Sequence, residues 1–241
     1  MILYQQQDPA TIQSLFNSIA TRYDRSNALL SCGLYKYWNR ELIHRVLMAT
    51  KPHTLLDLCA GTGDIAFDYL KRSPVPCETY LVDFSSEMLA CAKTKGEILF
   101  PTKQSSLHYI EADVLQLPLQ NESVDCATIA YGIRNVQSPL KCMQEVYRVL
   151  CQGGHFGILE LTRPQNRLLH FAYRMYMKTF LPLIGKAVTT NKEAYLYLLR
   201  TIEAFVPPSE LVTMMKSTGY QDVTCKPLMG GIATIIIGHK K

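Results

Sequence analysis

The chain has 241 residues, 48% of them hydrophobic and 19% charged, with 13 glycines and 12 prolines, which excludes a disordered, collagen-like or low-complexity polymer. Its net charge of +5 is unevenly spread: residues 1–160 carry 14 Lys and Arg against 16 Asp and Glu, whereas residues 161–241 carry 11 against 4. No apolar run approaches the roughly 18 residues of a membrane span, and MILYQQQDPA lacks a signal-peptide layout, so a cytoplasmic location is expected. The cysteines are scattered without C-x-x-C spacing and the histidines show no H-x-x-x-H, so neither a disulfide framework nor a metal centre is expected.

Residues 11–50 begin and end with helical periodicity: Ile12, Leu15, Phe16 and Ile19 form one apolar face, and Leu42, Ile43, Val46 and Leu47 a second, before Lys51-Pro52 ends the run. Between them lies a polar, aromatic stretch, TRYDRSNALLSCGLYKYW, of the kind that covers a site. From residue 53 the pattern alternates. TLLDL (54–58) is a strand ended by CAGTG, with a helical run from Ile65. TYLVDF is the next strand, and Ser85 is placed as the cap of the helix that follows. LHYIEADV, VDCATIAYG and HFGILEL supply three more strands, with a helix in SPLKCMQEVYRVL. This alternation predicts a parallel sheet covered on both faces, with ligands at the carboxyl ends of its strands. A helical stretch then runs from residue 163 to Phe205, Pro207-Pro208-Ser209 opens another helix, and DVTCKPLM and IATIIIG form an antiparallel hairpin at the sheet edge.

The strongest local signal is Asp57-Leu58-Cys59-Ala60-Gly61-Thr62-Gly63-Asp64, where a strand turns into a helix. Glycines there let the backbone approach a ligand, and the helix N-terminus offers free N–H groups. Gly61-x-Gly63-x-x-Ala66 also fits the dinucleotide fingerprint, and Asp83, 20 residues beyond Gly63, would grip a ribose in either cofactor class. The carboxylates separate the two. Asp57 at the loop mouth is a poor neighbour for a pyrophosphate and a good one for the ammonium group of S-adenosylmethionine. Asp113 closes the third strand, where that cofactor's adenine is expected.

These residues resemble class I S-adenosylmethionine-dependent methyltransferases, and the flanks narrow the resemblance to the ubiquinone/menaquinone biosynthesis C-methyltransferase family. The signature Y-D-x-M-N-x-x-[LIVM]-S-x-x-x-H-x-x-W is approached by Tyr23-Asp24-Arg25-Ser26-Asn27-Ala28-Leu29-Leu30-Ser31, leading to Tyr35 and Trp38. R-V-x-K-P-G-G appears as Arg148-Val149-Leu150-Cys151-Gln152-Gly153-Gly154, the family's E-x-S as Glu160-Leu161-Thr162, and F-G-[LI]-R-N as Tyr131-Gly132-Ile133-Arg134-Asn135. Ser26, Tyr35, Cys151-Gln152 and Thr162 depart from the pattern, and Cys59 stands where many methyltransferases have Gly. The resemblance implies a Rossmann-like, seven-stranded α/β sheet, mostly parallel with a C-terminal antiparallel hairpin, plus N-terminal helices and a helical insertion. It implies one domain: a cover (1–52), the cofactor-binding core (53–162), a substrate or membrane insertion (163–206) and a closing helix and hairpin (207–241). Cofactor contacts are expected from Asp57, Gly61, Thr62, Gly63, Asp83, Asp113, Val114 and Ala130.

The reaction implied is C-methylation of a polyprenyl quinol, with demethylmenaquinol favoured over the benzoquinol of ubiquinone biosynthesis because the chain is compact and has no N-terminal extension. Such a carbon becomes nucleophilic when an adjacent hydroxyl loses its proton, so Arg134 is expected to stabilise the oxyanion, aided by Tyr23 and Asn135, with Asp24, a water or a histidine taking the proton. A structural salt bridge is the competing role for Arg134. The acid-free stretch between Glu160 and Glu193 holds Arg163, Arg167, Arg174, Lys178, Lys186 and Lys192. On a helix Arg167, Arg174 and Lys178 share one side while Leu168, Leu169, Ala172, Met175, Tyr176 and Phe180 take the other. That pattern suits either an anionic membrane surface or a solvated edge or dimer contact. An NAD-dependent oxidoreductase, an RNA methyltransferase and a non-catalytic module of the same fold are rival readings, and no nucleic-acid-binding module is apparent.

Overall fold

The structure, a computed structural model, describes residues 8–73, 75–176, 179 and 192–241. Three helices come first: α1 (Pro9–Ile19), α2 (Tyr23–Leu30) and α3 (Leu34–Leu42), the last continuing through a π-helical turn, Ile43–Leu47. The aromatic stretch between the two apolar faces is thus mostly helical, broken at Ser31–Gly33, where Gly33 adopts φ 78°. The side of α2 that faces a cavity carries Tyr23 and Asn27 beside Leu30, which masks the helical pattern.

Next come β1 (Thr54–Leu58), α4 (Asp64–Arg72), β2 (Glu78–Asp83), α5 (Ser86–Leu99), β3 (Leu107–Glu111), β4 (Val124–Ala130), α6 (Pro139–Val149) and β5 (Leu150–Leu161). Ser85 caps α5 by accepting the Met88 N–H, and Ser138 caps α6 by accepting the Lys141 N–H with Pro139 in the first turn. α7 (Arg167–Met175), α8 (Lys192–Ala204), α9 (Pro208–Thr218), β6 (Gln221–Leu228) and β7 (Ala233–His239) complete the described chain.

One seven-stranded sheet results, in the order β3-β2-β1-β4-β5-β7-β6. The first five strands are parallel neighbours, while β7 runs antiparallel to both β5 and β6. The hairpin is present, but only β6 forms the edge, because β7 is inserted beside β5. β5 starts at Leu150 rather than His155: Leu150 pairs with Val124 of β4, and a register shift over 151–154 separates it from the next pair, Cys126 and His155.

Side chains alternate between two cores. Leu55, Leu81, Cys126, Leu159 and Ile235 pack with α3, α4 and α5 on one face; Leu56, Val82, Ala127, Ile158 and Ile236 pack with α6 and α9 on the other. Each such buried aliphatic stabilises the fold by about 1.5–3 kcal/mol. The strand order reverses between β1 and β4, the crevice where open α/β sheets place their ligands.

Candidate active site

The loop after β1 is built by backbone geometry. Cys59, Gly61 and Gly63 adopt φ values of 49°, 55° and 82°, and Gly63 leads into α4. A Cβ on Gly63 would lie 2.5 Å from the Phe67 ring, so only glycine permits the turn and the helix packing together. Asp83, buried at the end of β2, accepts the Gly61 N–H at 2.8 Å and the Ser85 N–H at 2.9 Å. That carboxylate fixes the loop. Burial raises its pKa, and hydrogen bonds from Ser85, Gly61 and Phe84 oppose the shift.

Asp57 is 1% exposed. Its register partner on β4, Thr128, donates to Oδ1 at 2.8 Å, and the Ala66 N–H at the start of α4 donates to Oδ2 at 3.3 Å. Burial pushes its pKa up to about 7 against those two hydrogen bonds, with Asp83 and Asp64 adding to the rise.

Over this loop sits the N-terminal cover. Asp24 of α2 accepts from Thr62 Oγ1 at 2.5 Å and from Lys95 Nζ at 3.0 Å, and Lys95 also pairs with Asp64. Ser85 Oγ donates to Asn17 Oδ1 at 2.6 Å, and Gln13 donates to the Phe84 carbonyl. α1 and α2 are thereby tied to the loops after β1 and β2.

Two cavities meet beneath the cover. The smaller, about 40 Å³, is lined by Asp57, Ala60, Gly61, Thr62, Asp64 and Ala130. The larger, about 360 Å³, is mainly apolar, with Leu30, Trp38, Leu161, Leu198, Ile202 and Ile232 among its walls. Tyr23, Asn27, Tyr35 and Tyr131 line both. Burial raises the Tyr23 pKa, although a hydrogen bond with Asn27 and the Arg134 charge pull it down, so the phenol stays protonated. The Tyr131 hydroxyl donates to Asn39 Oδ1 at 2.8 Å.

Arg134 lines the larger cavity and is buried against Glu160, with Nη1 2.6 Å from Oε1. Nη1 also donates to the Tyr131 carbonyl, and Glu160 accepts the N–H groups of Arg134 and Leu161. Burial pulls the guanidinium pKa down, but Glu160 outweighs it, and the group stays charged. The salt bridge weighed against a catalytic role is therefore present, and it stands in the cavity wall.

The sequence-predicted residues divide into three sets. Asp57, Gly61, Thr62 and Ala130 converge on the smaller cavity, with Gly63 and Asp83 supporting the loop from behind. Tyr23 and Arg134 reach the larger one. Asp113, Val114 and Asn135 line neither: Asp113 is exposed and accepts the Leu115 N–H, Val114 packs in the core, and Asn135 accepts from the Tyr197 hydroxyl at 2.8 Å. Asp24, held by Thr62 and Lys95, lines neither cavity. Nor does a histidine line either one.

Asn27, Tyr35, Asn39, Tyr131, Tyr173 and Tyr176 enter the site without an assigned role in the sequence reading. The first four sit within or beside the two signature segments, which was the available signal. Lys95 carried none, because its partners lie 71 and 31 residues away.

The basic segment also divides. Arg163 is tied to the end of α8, donating to the carbonyls of Glu203 and Phe205 at 2.8 and 3.0 Å, whereas Arg167 and Arg174 are exposed. Lys178, Phe180 and Lys186, and the side chain of Lys192, lie outside the described residues. The apolar side of α7 is really two faces: Leu169, Ala172, Tyr173 and Tyr176 line the larger cavity, while Leu168, Phe171 and Met175 are 79%, 64% and 45% exposed. Among the described residues no group of three or more His, Cys, Asp or Glu is placed to hold a metal, and no helix is long and apolar enough to cross a membrane.

The structure resembles that of an S-adenosylmethionine-dependent methyltransferase, possible histamine N-methyltransferase, from Thermotoga maritima (TM-score 0.66, 18% identity, 95% of this chain and 99% of that one). A putative S-adenosyl-L-methionine-dependent methyltransferase from Methanococcus maripaludis gives a TM-score of 0.60 at 16% identity over 93% of each chain. At those identities the likeness is one of fold. In sequence, the chain is 53% identical to a demethylmenaquinone methyltransferase of Protochlamydia amoebophila over 240 residues, covering 100% of this chain and 99% of the relative. It is 40% identical over 230 residues to one of Chlamydia pneumoniae, covering 95% and 96%. The model of the ubiE/COQ5 methyltransferase family matches residues 4–240, and the chain belongs to that family.

Proposed function

We propose that this protein methylates a ring carbon of demethylmenaquinol, using S-adenosylmethionine, in menaquinone biosynthesis. The observation that carries this reading is the junction of the two cavities. A polar recess with a buried carboxylate opens, through Tyr23, Asn27, Tyr35 and Tyr131, onto an apolar chamber suited to a prenylated ring. Relatives named demethylmenaquinone methyltransferase along the full length support the choice of substrate.

The recess fits the cofactor chemically: Asp57 offers the ammonium group a counter-charge, and the turn at Gly61 and Gly63 admits a close approach of ligand to backbone. The recess beneath the roof is about 40 Å³, and we propose that the N-terminal cover lifts to admit the cofactor. When bound, S-adenosylmethionine supplies an electrophilic methyl group. The chain's own residues position the quinol ring at the junction and exclude water behind the cover. We assign Arg134 to the forming quinolate oxygen, with Glu160 holding the guanidinium in place and Tyr23 as a second donor. With Asp24 engaged elsewhere and no histidine in either lining, we assign the hydroxyl proton to a single water retained at the junction, and after methyl transfer the ring C–H proton moves to the oxygen as the ring regains aromaticity. Asp113 and Val114 remain candidates for the adenine side at the end of β3, while Asn135, bonded to Tyr197, is assigned no direct role because neither residue lines either cavity.

We divide the described residues accordingly: those within 1–52 serve as cover, within 53–162 as cofactor core, within 163–206 as chamber wall and within 207–241 as closing helix and hairpin. We propose from the exposed apolar face of α7 that the protein works at the cytoplasmic surface of an anionic membrane, from which the quinol is collected; we favour this over a dimer contact because Arg167 and Arg174 flank that face. The test of function is methyl transfer from labelled S-adenosylmethionine to reduced demethylmenaquinone, set against the reduced benzoquinone precursor. Label is expected in the naphthoquinol; preference for the benzoquinol, or no transfer to either, overturns the reading.

A further inference from the structure

Trp38 is the single tryptophan of the chain, on α3 and 4% exposed. Its indole forms part of the wall of the larger cavity, beside Tyr35, Tyr131 and Arg134. Yet its Nε1–H has no acceptor among the described residues and no contact with solvent. Elsewhere the fold satisfies such groups: the buried Tyr220 hydroxyl donates to the Met143 carbonyl, and Tyr131 donates to Asn39. A stranded buried donor costs about 1–3 kcal/mol, and a phenylalanine would line the same wall without that cost. Tyr109 also has an unpartnered buried oxygen, but it packs beside Gly96 on α5 and lines neither cavity at the junction.

We infer that Trp38 is a substrate-orienting residue whose indole N–H, after a small tilt of the ring, donates to a ring oxygen of the quinol. This rests on the quinol reading above and adds a specificity element to it. The apolar wall accepts any flat hydrophobic ring, whereas a donor in that wall selects a ring bearing an oxygen and sets its rotation. The unsubstituted carbon is thereby turned toward the junction shared by Tyr23 and Tyr35.

Because the chain has one tryptophan, biosynthetic replacement of tryptophan by its sulfur isostere, benzothienylalanine, removes this N–H alone and keeps the ring. Kinetics with reduced short-chain demethylmenaquinone are compared among the unmodified enzyme, the isostere form and Trp38→Phe. For both altered proteins KM for the quinol rises about tenfold, the effect of one hydrogen bond worth about 1.4 kcal/mol, while affinity for S-adenosylhomocysteine is unchanged. The ligand-free melting temperature of the isostere form is no lower than that of the unmodified protein, since no native bond has been lost, whereas Trp38→Phe also removes buried packing volume. The isostere decides: an unchanged quinol KM overturns the inference, whatever Trp38→Phe does to folding. Failure of the unmodified enzyme to methylate the quinol instead sinks the functional reading, so the two failures are distinguishable.

Discussion

Asp57 shows how one position can be costly to the fold and useful to the site. An isolated carboxyl ionises near 3.9, but here burial lifts its pKa to about 7. Its folded pKa lies above its unfolded one, so the native state holds a proton that the unfolded chain has already lost. Its contribution to stability is therefore complete at acid pH, declines from about pH 4 to 7 and is flat above, a fall of up to about 4 kcal/mol. A cation bound beside it favours the ionised form and reverses that preference. Binding of S-adenosylhomocysteine, whose ammonium stays charged across this window, should strengthen as pH rises toward 7 and release a proton at pH 6. Calorimetry in buffers of different ionisation heat measures that release. Asp57→Asn should abolish it, weaken binding at least tenfold and melt higher than the parent at pH 8 but not at pH 4. Proton release surviving in Asp57→Asn would assign the titration to another group.

At the scale of elements, the working joint is between α2 and the loops it covers. Asp24 binds Thr62 and Lys95 while Lys95 also binds Asp64, so a few side chains hold the roof over the recess. The lysine pairs are partly exposed, and such pairs contribute about 0–1 kcal/mol each. Lys95→Ala should therefore lower the melting temperature only slightly, yet speed S-adenosylhomocysteine release roughly three- to tenfold and accelerate amide exchange along α2. Unchanged exchange in α2 would show that the joint does not hold the cover. Little of this was legible in advance. β1 and β2 could be placed from sequence because each is a short apolar run ending at a glycine loop or an acid, with both faces buried. The start of β5 could not, since Cys151–Gly154 lacks an apolar pattern and has no register partner on β4 between the Leu150 and His155 pairs. Likewise α2 and α3 turn tyrosines and asparagines toward a cavity, so their inner face lacks the apolar period that marks a core helix. Asp57, Asp83 and Asp113 look alike as strand-end acids. Only the fold separates the one in the recess, the one that stitches the loop and the one in an exposed turn.

For the molecule as a whole, the question is how a site under a cover receives its substrate. α7 has three sides. Leu169, Ala172, Tyr173 and Tyr176 wall the chamber; Leu168, Phe171 and Met175 face outward; Arg167, His170 and Arg174 form a basic stripe. The hairpin turn between β6 and β7 abuts the same helix, Gly230 leaving room for Leu169, and Met229 beside it is exposed. On the proposed membrane role of this face, apolar side chains dipping into the headgroup boundary, with about 1 kcal/mol from each arginine near anionic lipid, would give a weak, reversible and salt-sensitive attachment. Vesicles of phosphatidylcholine and phosphatidylglycerol should sediment the protein at low salt and release it at 0.5 M, a concentration that shortens electrostatic reach to a few ångströms. Leu168→Ser with Phe171→Ser should abolish sedimentation and leave turnover of a short-chain quinol in solution intact, because neither residue lines the chamber. Loss of that turnover would place the face in the active site instead. If the doubly substituted protein changes its sedimentation coefficient without vesicles, the face is a contact between copies. If the parent fails to bind vesicles at low salt, the quinol reaches the chamber by another route.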